Sequence, residues 1–397
     1  MTVSRGDVTR RRRSIGIQPG RSTAGTMSET PRSLRRRGAG WLAARERLPL
    51  ASRAVLRYYA ESGVVDVTAL RLRGAVEAAV DDIVDDAYDA VEAALAEELD
   101  LRDPAFAYET KLTLPVELTL GYCYRRADDE AARERAEAVA ELVTEALLDG
   151  DMRDAINDEE YGDFEVDAAG ASPDPARVAE VAQARLSERV EARFAEYPDA
   201  VQEAYDWAVA VSERHQEADP RFRELLEAAR DGDDGAAERI AAEYKFADVD
   251  GADYDLGYGY DAGVLGAGER DLPYCKTQYE RVGVIYDGMV QMFREAGLEI
   301  DEAFERSVVL AIIGAQVWLD DVDDFDADMA EGQLTPVTAE YLVADDDRAA
   351  YEEVVDVTTA YLDAAVEHAT DSDSPLTGIA TEYIYLSGEP EVLPGSE

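Results

Sequence analysis

A run of aspartates directly follows the most apolar segment of the chain. Residues 308–319 contain one polar side chain, Gln316, and no charge, and the next nine residues read DDVDDFDAD. The apolar run is too short to span a bilayer and predicts a buried helix. At helical spacing Gln316, Asp320 and Asp324 lie on one face, four residues apart, and Asp321 lies next to that face. Carboxylates gathered there repel one another unless cations bind them, and Mg²⁺ prefers such oxygen ligands.

The overall composition offers a simpler explanation for acidic runs in general. The chain has 88 Asp and Glu against 39 Lys and Arg, and only three of the basic residues are Lys. This balance is typical of a protein from a high-salt cytoplasm, where carboxylates keep the surface solvated and salt screens their repulsion. A second string, DDIVDD at Asp81–Asp86, shows how readily the pattern arises. Most acidic runs are therefore expected to be solvated surface, and the run at Asp320 differs by its apolar lead-in.

The scarce residue types argue against several classes of function. Two cysteines, Cys123 and Cys275, cannot form a disulfide framework and fit a reducing cytoplasm. Two histidines, His215 and His368, are too few for the usual zinc site or a His-based catalytic centre, and we expect both on helix surfaces. The acidic chain repels nucleic acid, and no segment predicts a transmembrane helix. We therefore expect a cytoplasmic protein that does not bind nucleic acid.

The first 50 residues differ from the rest, because they hold 12 Arg and 3 acidic residues. The arginine run at 10–13 is followed by polar sequence, whereas a twin-arginine export signal would continue with an apolar stretch. Residues 1–40 are predicted to be a disordered basic tail, and Met27 is an alternative start. A basic arm that binds acidic partners is the alternative interpretation.

The remainder, residues 41–397, predicts a single all-α domain. Loop insertions are expected near 159–175 and 247–271, the second of which is rich in Gly, Asp and Tyr and could form a lid. No alternating strand pattern, βαβ rhythm or internal repeat is present. Helices are expected over 41–62, 67–99, 114–124, 130–148, 174–197, 198–217, 219–231, 235–246, 274–297, 301–319, 338–341, 346–370 and 375–387.

A second apolar helix also ends in aspartates. The segment LLDGDMRDAIND follows the predicted helix 130–148 and places Asp151 and Asp154 three residues apart. Two of the rare lysines, Lys111 and Lys276, precede apolar helices, where an ammonium could bind a phosphate oxygen. Two buried helices ending in aspartates, together with lysines, are what a diphosphate bridged by Mg²⁺ would require.

The order of these features resembles the class I isoprenoid synthases, most closely the trans-polyprenyl diphosphate synthases. In that family a Lys-Thr pair opens a helix, a glycine and a glutamine precede the second Asp-rich motif, and an Asp…Glu-Gly…Pro segment follows it. The corresponding residues here are Lys276-Thr277, Gly314 to Val317, Asp320 to Asp324, and Asp328 to Pro336. Gln316 lies one residue further from the aspartates than in the family. The likeness covers about 105–160 and 272–345.

The resemblance implies a bundle of roughly ten or more helices around a central cavity, in a protein that forms homodimers as its relatives commonly do. It implies Mg²⁺ as the cofactor and a prenyl diphosphate as the substrate. The implied roles are metal binding by Asp151, Asp154, Asp320, Asp321 and Asp324, diphosphate binding by Lys111 and Lys276, and catalysis by Lys276, Thr277 and Gln316.

The chain departs from the family pattern at its first Asp-rich motif. Gly150 separates Asp149 from Asp151, so the usual adjacent pair is broken. No basic residue occurs over 155–163, where the family has an arginine pair, and the residues around Lys111 lack the expected arginines. Since arginine is the natural bidentate ligand of a diphosphate, the site for a second diphosphate substrate is incomplete.

Two functions of different classes remain open. The first is Mg²⁺-dependent prenyl transfer or cyclisation on an allylic diphosphate. The second is a non-catalytic acidic helical protein of a halophile, with a structural or cation-binding role. A calcium loop of the EF-hand type at Asp324, Asp326 and Asp328 fails, because Met329 takes the place of the required glycine.

Overall fold

The structure is a computed structural model that describes residues 31–397 except 46, 65, 109–112, 158, 169–172 and 250–251. Helices make up almost all of its regular structure, and the only described strands form one short two-stranded ribbon. The all-α prediction is confirmed. No helix in the described part of the chain is long and apolar enough to cross a membrane.

Three helices begin the described structure: α1 (Pro31–Ala43), α2 (Leu50–Ser62) and α3 (Val67–Glu98). The sequence predicts one helix over 41–62, but α1 ends at Ala43 and α2 begins at Leu50. Pro49 lies between them, and a proline restricts the residue before it to extended conformations. The start of α3 is as predicted, since the Asp66 carboxylate accepts the backbone N–H groups of Thr68 and Ala69 at 2.7 and 3.2 Å.

Residues 31–40, which composition assigns to the basic tail, form most of α1. This helix is held against α2, where the Arg36 guanidinium donates to the carbonyl of Ala60 at 2.8 Å, and it buries Ala39 and Ala43. The arginines therefore do not prevent packing, because small alanines let the two helices approach. Residues 1–30 lie outside the described part of the chain.

The next elements carry the first aspartate pair. They are β1 (Ala105–Ala107), α4 (Thr113–Arg126), α5 (Glu130–Asn157), β2 (Glu165–Asp167) and α6 (Pro175–Phe194). Helix α5 continues beyond the predicted end at Leu148 for two and a half further turns, so Asp151 and Asp154 lie within it. The two strands pair antiparallel, with Phe106 opposite Val166, and β2 lies inside the predicted loop insertion 159–175.

Helix α7 (Asp199–Arg230) is continuous, although the sequence analysis divides it before Pro220. Its inward face, including Trp207 and Val211, is buried, and burial of that face outweighs the backbone hydrogen bond that the proline removes. The described part of the predicted loop 247–271 packs inward on α7, where the Trp207 indole N–H donates to the carbonyl of Tyr254 at 2.6 Å.

The C-terminal half supplies the second aspartate cluster. Its helices are α8 (Asp234–Ile240), α9 (Ala267–Arg270), α10 (Cys275–Gln278), α11 (Val284–Glu295), α12 (Glu302–Ala315), α13 (Asp321–Asp323), α14 (Phe325–Glu331), α15 (Pro336–Val343), α16 (Asp347–Asp371) and α17 (Pro375–Ser387). Helix α12 is almost entirely buried, as its apolar sequence predicts, and packs along α16, while α7 packs along α11.

Three helical segments widen into π-helical turns: Ala241–Lys245, Tyr279–Gly283 and Gln316–Asp320. In the last of them the Asp321 N–H donates to the carbonyl of Gln316, five residues earlier. Each such turn inserts one residue into an α-helix, and π-turns are frequent at functional sites. One of the three, Gln316–Asp320, contains residues that the sequence predicts to bind ligands.

A pair of buried acids lies between α11 and α12. Asp287 accepts from Tyr279 Oη at 2.6 Å, and the Gln291 amide contacts both Asp287 and Glu305, at 3.2 and 2.8 Å. Arg294 ion-pairs with Glu305 at 2.6 Å. Burial raises the pKa of both carboxyl groups, and the charge of Asp287 raises that of Glu305 further. One cation for two buried carboxylates means that the native protein retains a proton here.

We predict that Asp287→Asn makes stability less dependent on pH. An acid with a raised native pKa binds its proton more tightly in the folded chain, so stability falls as the pH rises above the unfolded pKa of about 4. The free energy of unfolding of the variant relative to wild type should therefore rise between about pH 5 and 9, by up to about 1.4 kcal/mol per pH unit. Urea unfolding across this range measures it. Glu302→Gln, at an exposed acid that begins α12, should show no such trend, and parallel curves for wild type and Asp287→Asn would contradict the prediction.

Candidate functional site

One cavity brings together acidic residues from both halves of the chain. It has a volume of about 450 Å³ and lies among α4, α5, α11, α12 and α17. Its polar lining is acidic apart from an amide and two tyrosines: Asp151, Asp154, Glu160, Asp163, Asp320, Gln316, Tyr108 and Tyr286. Its other lining residues are apolar: Leu114, Ala155, Val282, Ile285, Ile312, Ala315, Leu319 and Ile384. This space is named the acidic cavity below.

The extension of α5 places the first pair of aspartates. Asp151 and Asp154 are three residues apart on one helix face, as the sequence predicts, and both line the acidic cavity. Asp149 points elsewhere. It is buried, ion-pairs with Arg153 one turn on, and accepts from Gln183 Nε2 at 3.0 Å. The glycine at position 150 therefore separates a structural aspartate from a cavity-lining one.

The π-turn accounts for the extra residue between Gln316 and the aspartates. Gln316 and Asp320 both line the acidic cavity. The turn also brings Gln316 beside the residue five positions on, so that its Nε2 lies 3.4 Å from Asp321 Oδ1. In a regular α-helix that partner would be three or four positions away. The sequence showed the extra residue, but periodicity cannot show that a helix widens to accommodate it.

Tyr286 connects the two sets of aspartates electrostatically. Burial raises the pKa of its hydroxyl, and the charges of Asp151 and Asp320 raise it further. Both carboxylates are therefore close enough to act on one phenol between them. Tyr108 has a pKa raised by burial and by Asp151, with which it also hydrogen-bonds. The sequence analysis missed both tyrosines, because nothing in their local sequence separates them from the other tyrosines of the chain.

Asp321, predicted as a metal ligand, is held by a protein cation instead. It is 2 % exposed, and its Oδ1 accepts from Arg281 Nη1 at 3.0 Å. Burial raises the pKa of Asp321, and Arg281 partly offsets that effect. Its Oδ2 has no hydrogen-bond partner among the described residues. The aspartate run therefore includes a buried anchor that fixes the π-turn to the segment 279–283.

The end of the aspartate run turns away from the acidic cavity. Asp324, also predicted as a metal ligand, is exposed, lies at the break between α13 and α14, and does not line the cavity. Asp328 is half-buried, and burial together with the charge of Asp321 raises its pKa to about 7. The predicted four-residue periodicity from Gln316 fails at these positions, because the π-turn and the break at Asp324 each change the helical register.

The Lys-Thr pair also lies away from the acidic cavity. Thr277 is buried, and its hydroxyl is satisfied by the carbonyls of Tyr244 and Tyr274 at 3.3 and 3.2 Å. Lys276 is half-buried and does not line the cavity. Lys111 lies outside the described residues. The third lysine, Lys245, is buried between Glu340 and Glu353, at 2.8 and 2.9 Å.

The two histidines occupy different environments. The sequence predicts His215 on a helix surface, but the residue is buried. It lies on the inward face of α7 beside Phe222. His368 is half-buried and bonds to Glu269 through Nε2 at 2.8 Å. Neither residue lines the acidic cavity.

A second acidic group has the spacing of a metal site. Oxygens of Asp86, Glu141 and Glu145 lie within 4.8 Å of one another. Two guanidinium groups already bind these carboxylates: Arg189 bonds to Asp86 at 2.8 Å, and Arg193 bonds to Glu145 at 2.6 Å. With two arginines for three carboxylates, the cluster is largely neutralised, and we interpret it as an ion-pair network between α5 and α6.

The acidic cavity offers a cation several oxygen ligands. Five carboxylates line it. Asp154 lies in the last turn of α5, and Asp320 ends the extension of α12. A helix carries partial negative charge at its C-terminus, which adds to that of the carboxylates. Hard oxygen donors from two helix ends are a suitable ligand set for Mg²⁺.

Comparison of the chain with protein-family models, with curated proteins and with solved structures gave no match.

We predict that Asp321→Asn destabilises the protein even without metal. The substitution removes the carboxylate that compensates Arg281, and the free energy of unfolding should fall by about 2 kcal/mol. Asp323→Asn, at an exposed position two residues on, should change it by less than about 0.5 kcal/mol. Denaturant unfolding in a chelating buffer makes the comparison. Equal stabilities of the two variants would show that the contact between Asp321 and Arg281 is not an anchor.

Proposed function

We propose that this protein is a Mg²⁺-dependent enzyme of the isoprenoid-synthase type that acts on an allylic prenyl diphosphate by prenyl transfer or cyclisation. The observation that carries the proposal is that aspartates from α5 and from the end of α12 line the same cavity, although about 165 residues separate them in sequence. Asp151, Asp154 and Asp320 are the residues that the sequence resemblance and the cavity lining have in common.

The acidic residues fit a metal-bound diphosphate better than they fit a free anion. A diphosphate alone would be repelled by the five carboxylates that line the cavity. Divalent cations held by Asp151 and Asp154 on one wall and by Asp320 on the other would reverse that charge. The Gln316 amide and the hydroxyl groups of Tyr108 and Tyr286 offer further hydrogen bonds. When bound, the metal would supply charge stabilisation for the departing diphosphate.

The apolar part of the lining fits an allylic chain. Ile285, Ile312 and Leu319 form a wall without hydrogen-bonding groups beside the carboxylates. Loss of diphosphate leaves an allylic cation that water would capture, and an apolar wall excludes water from it. A ligand with one highly charged end and one apolar end therefore matches a lining that contains both carboxylates and apolar side chains.

The roles proposed for the other predicted residues change with their positions. Asp321 holds Arg281 and positions the π-turn, so its contribution to metal binding is indirect. Thr277 is a structural residue at the start of α10, and Lys276 contributes no described contact to the cavity. Asp324 is a surface residue. The proposed metal ligands are therefore Asp151, Asp154 and Asp320.

A non-catalytic acidic protein is the competing function, and the net charge of −49 supports it. It explains exposed carboxylates such as Asp323 and Asp324. It does not explain why carboxylates of two distant segments meet in one cavity beside apolar side chains. Binding measurements at high salt separate the two functions, since the Debye length at 1 M salt is only about 3 Å.

We predict that the protein binds geranylgeranyl diphosphate only when Mg²⁺ is present. Calorimetric titration in high salt should show that Asp154→Asn and Asp320→Asn each weaken this binding by at least about tenfold, because each removes a metal ligand. Asp154 is exposed at a helix end, so its variant should fold normally. Asp323→Asn removes the same charge from an exposed site and should bind as the wild type does.

The proposed function fails if all three variants bind alike, or if binding does not require Mg²⁺. Release of inorganic diphosphate from geranylgeranyl diphosphate, with and without isopentenyl diphosphate, then distinguishes the reactions. Release that requires isopentenyl diphosphate indicates prenyl transfer, and release without it indicates cyclisation. Mg²⁺-dependent binding without release in either case identifies a homologue that has kept the site and lost catalysis.

A further inference from the structure

The pair of helices α1 and α2 is a basic region on a strongly acidic protein. Residues 31–60, which form α1 and most of α2, hold eight arginines and one acidic residue, whereas the whole chain has a net charge of −49. Residues 1–30, which precede α1 in sequence, hold six further arginines and two acidic residues. An anionic partner is therefore repelled least at this end of the chain.

Two arginines fix α1 against α2. Arg36 Nε donates to the carbonyl of Ala60 at 2.8 Å, and Arg53 Nε donates to the carbonyl of Ala43 at 2.9 Å. The helix α1 buries Ala39 and Ala43 on this side. With its small residues turned inward, α1 presents its other face to the exterior of the described structure.

The outer face of α1 carries apolar side chains next to arginines. Trp41 is 61 % exposed, the largest fraction among the exposed large apolar side chains of the described chain, and Leu42 is 41 % exposed. Arg37 lies one turn before Trp41, and Arg45 lies one turn after it, with its guanidinium carbon 4.0 Å from the centre of the indole ring. Arg35 lies two turns before Leu42, and all three arginines are exposed.

This combination matches the interface of an anionic lipid bilayer. Phosphate groups lie outside the acyl chains there, so arginines bind phosphate while an indole ring sits at the headgroup level and a leucine reaches the hydrocarbon. With 13 residues, α1 is too short to span a bilayer, and an amphipathic helix of this kind lies in the plane of the interface.

We propose that α1 docks this protein on anionic phospholipid membranes, with Trp41 and Leu42 inserted at the interface and Arg35, Arg37 and Arg45 bound to lipid phosphates. A nucleic acid or an acidic protein surface would match the arginines but would bring polar groups against the two apolar side chains. The acidic remainder of the protein is repelled by the same phosphates, so the protein binds with α1 toward the lipid. This inference does not depend on the proposed function.

Trp41 provides the probe for the test, because the other two tryptophans, Trp207 and Trp318, are buried. The protein is mixed with phosphatidylglycerol or phosphatidylcholine vesicles at about 1 M salt, where only charges in contact still attract. Flotation with the vesicles and tryptophan emission are measured. We expect binding to phosphatidylglycerol, with emission shifted to shorter wavelength as the indole leaves water, and several-fold weaker binding to phosphatidylcholine.

Trp41→Ala should weaken binding to phosphatidylglycerol vesicles by at least about tenfold, because it removes the largest inserted side chain. Phe246→Ala is the matched control, since Phe246 is an aromatic residue that is 59 % exposed outside α1 and α2. It should bind as the wild type does. Both positions are exposed, so both variants should fold.

The arginines are tested by a second matched pair of variants. Arg35→Gln combined with Arg45→Gln should weaken binding and remove the preference for phosphatidylglycerol. Arg185→Gln combined with Arg348→Gln removes the same charge from exposed positions on α6 and α16 and should leave both unchanged.

The inference is overturned if the wild type does not float with phosphatidylglycerol vesicles, or if Trp41→Ala floats as well as Phe246→Ala does. Equal effects of the two arginine pairs would also contradict it, since net charge and not α1 would then control binding. An emission shift that develops with protein concentration in the absence of vesicles would overturn it as well, because a second copy of the chain would then cover this face.

Discussion

The repulsion among carboxylates around the acidic cavity is the constraint on which the rest of the site depends. Asp154 and Asp320 lie near helix ends whose dipoles also direct negative charge toward the cavity, and Asp151 lies one turn before Asp154. A fold that concentrates like charges in this way gives up stability unless cations compensate them. Buried carboxylates elsewhere in the described chain, such as Glu145 and Asp321, ion-pair with arginine. Bound divalent cations would compensate the carboxylates of the acidic cavity in the same way.

The neighbouring structure supports this arrangement in two ways. The contact between Arg281 and Asp321 joins two π-turns, and so fixes where Gln316 and Asp320 lie. The proton shared by Asp287 and Glu305 lets α11 and α12 pack closely next to the cavity wall without two uncompensated charges. Both features give distinct roles to acidic residues that cannot be told apart from the sequence. Structural acids therefore differ from candidate ligands in their partners and not in their spacing.

Much of the fold follows from the sequence. The apolar run before Asp320 is a buried helix, most predicted helices are present, and the start signal at Asp66 is confirmed. The details that position the site do not follow, because they are set by tertiary packing. Helical periodicity cannot show a π-turn, and it cannot show that Asp321 faces Arg281, 40 residues earlier, while Asp320 faces the cavity. Tyr286 lies between the aspartates only because α11 packs there.

The most direct test of the account locates the metal itself. Crystals grown with Mn²⁺ in place of Mg²⁺, together with a prenyl thiolodiphosphate that resists cleavage, would reveal the ion by anomalous scattering. The account predicts manganese within about 2.2 Å of carboxylate oxygens of Asp151 or Asp154 on one side and of Asp320 on the other. Manganese bound only at Asp86, Glu141 and Glu145, or only at exposed acids such as Asp323, would contradict it.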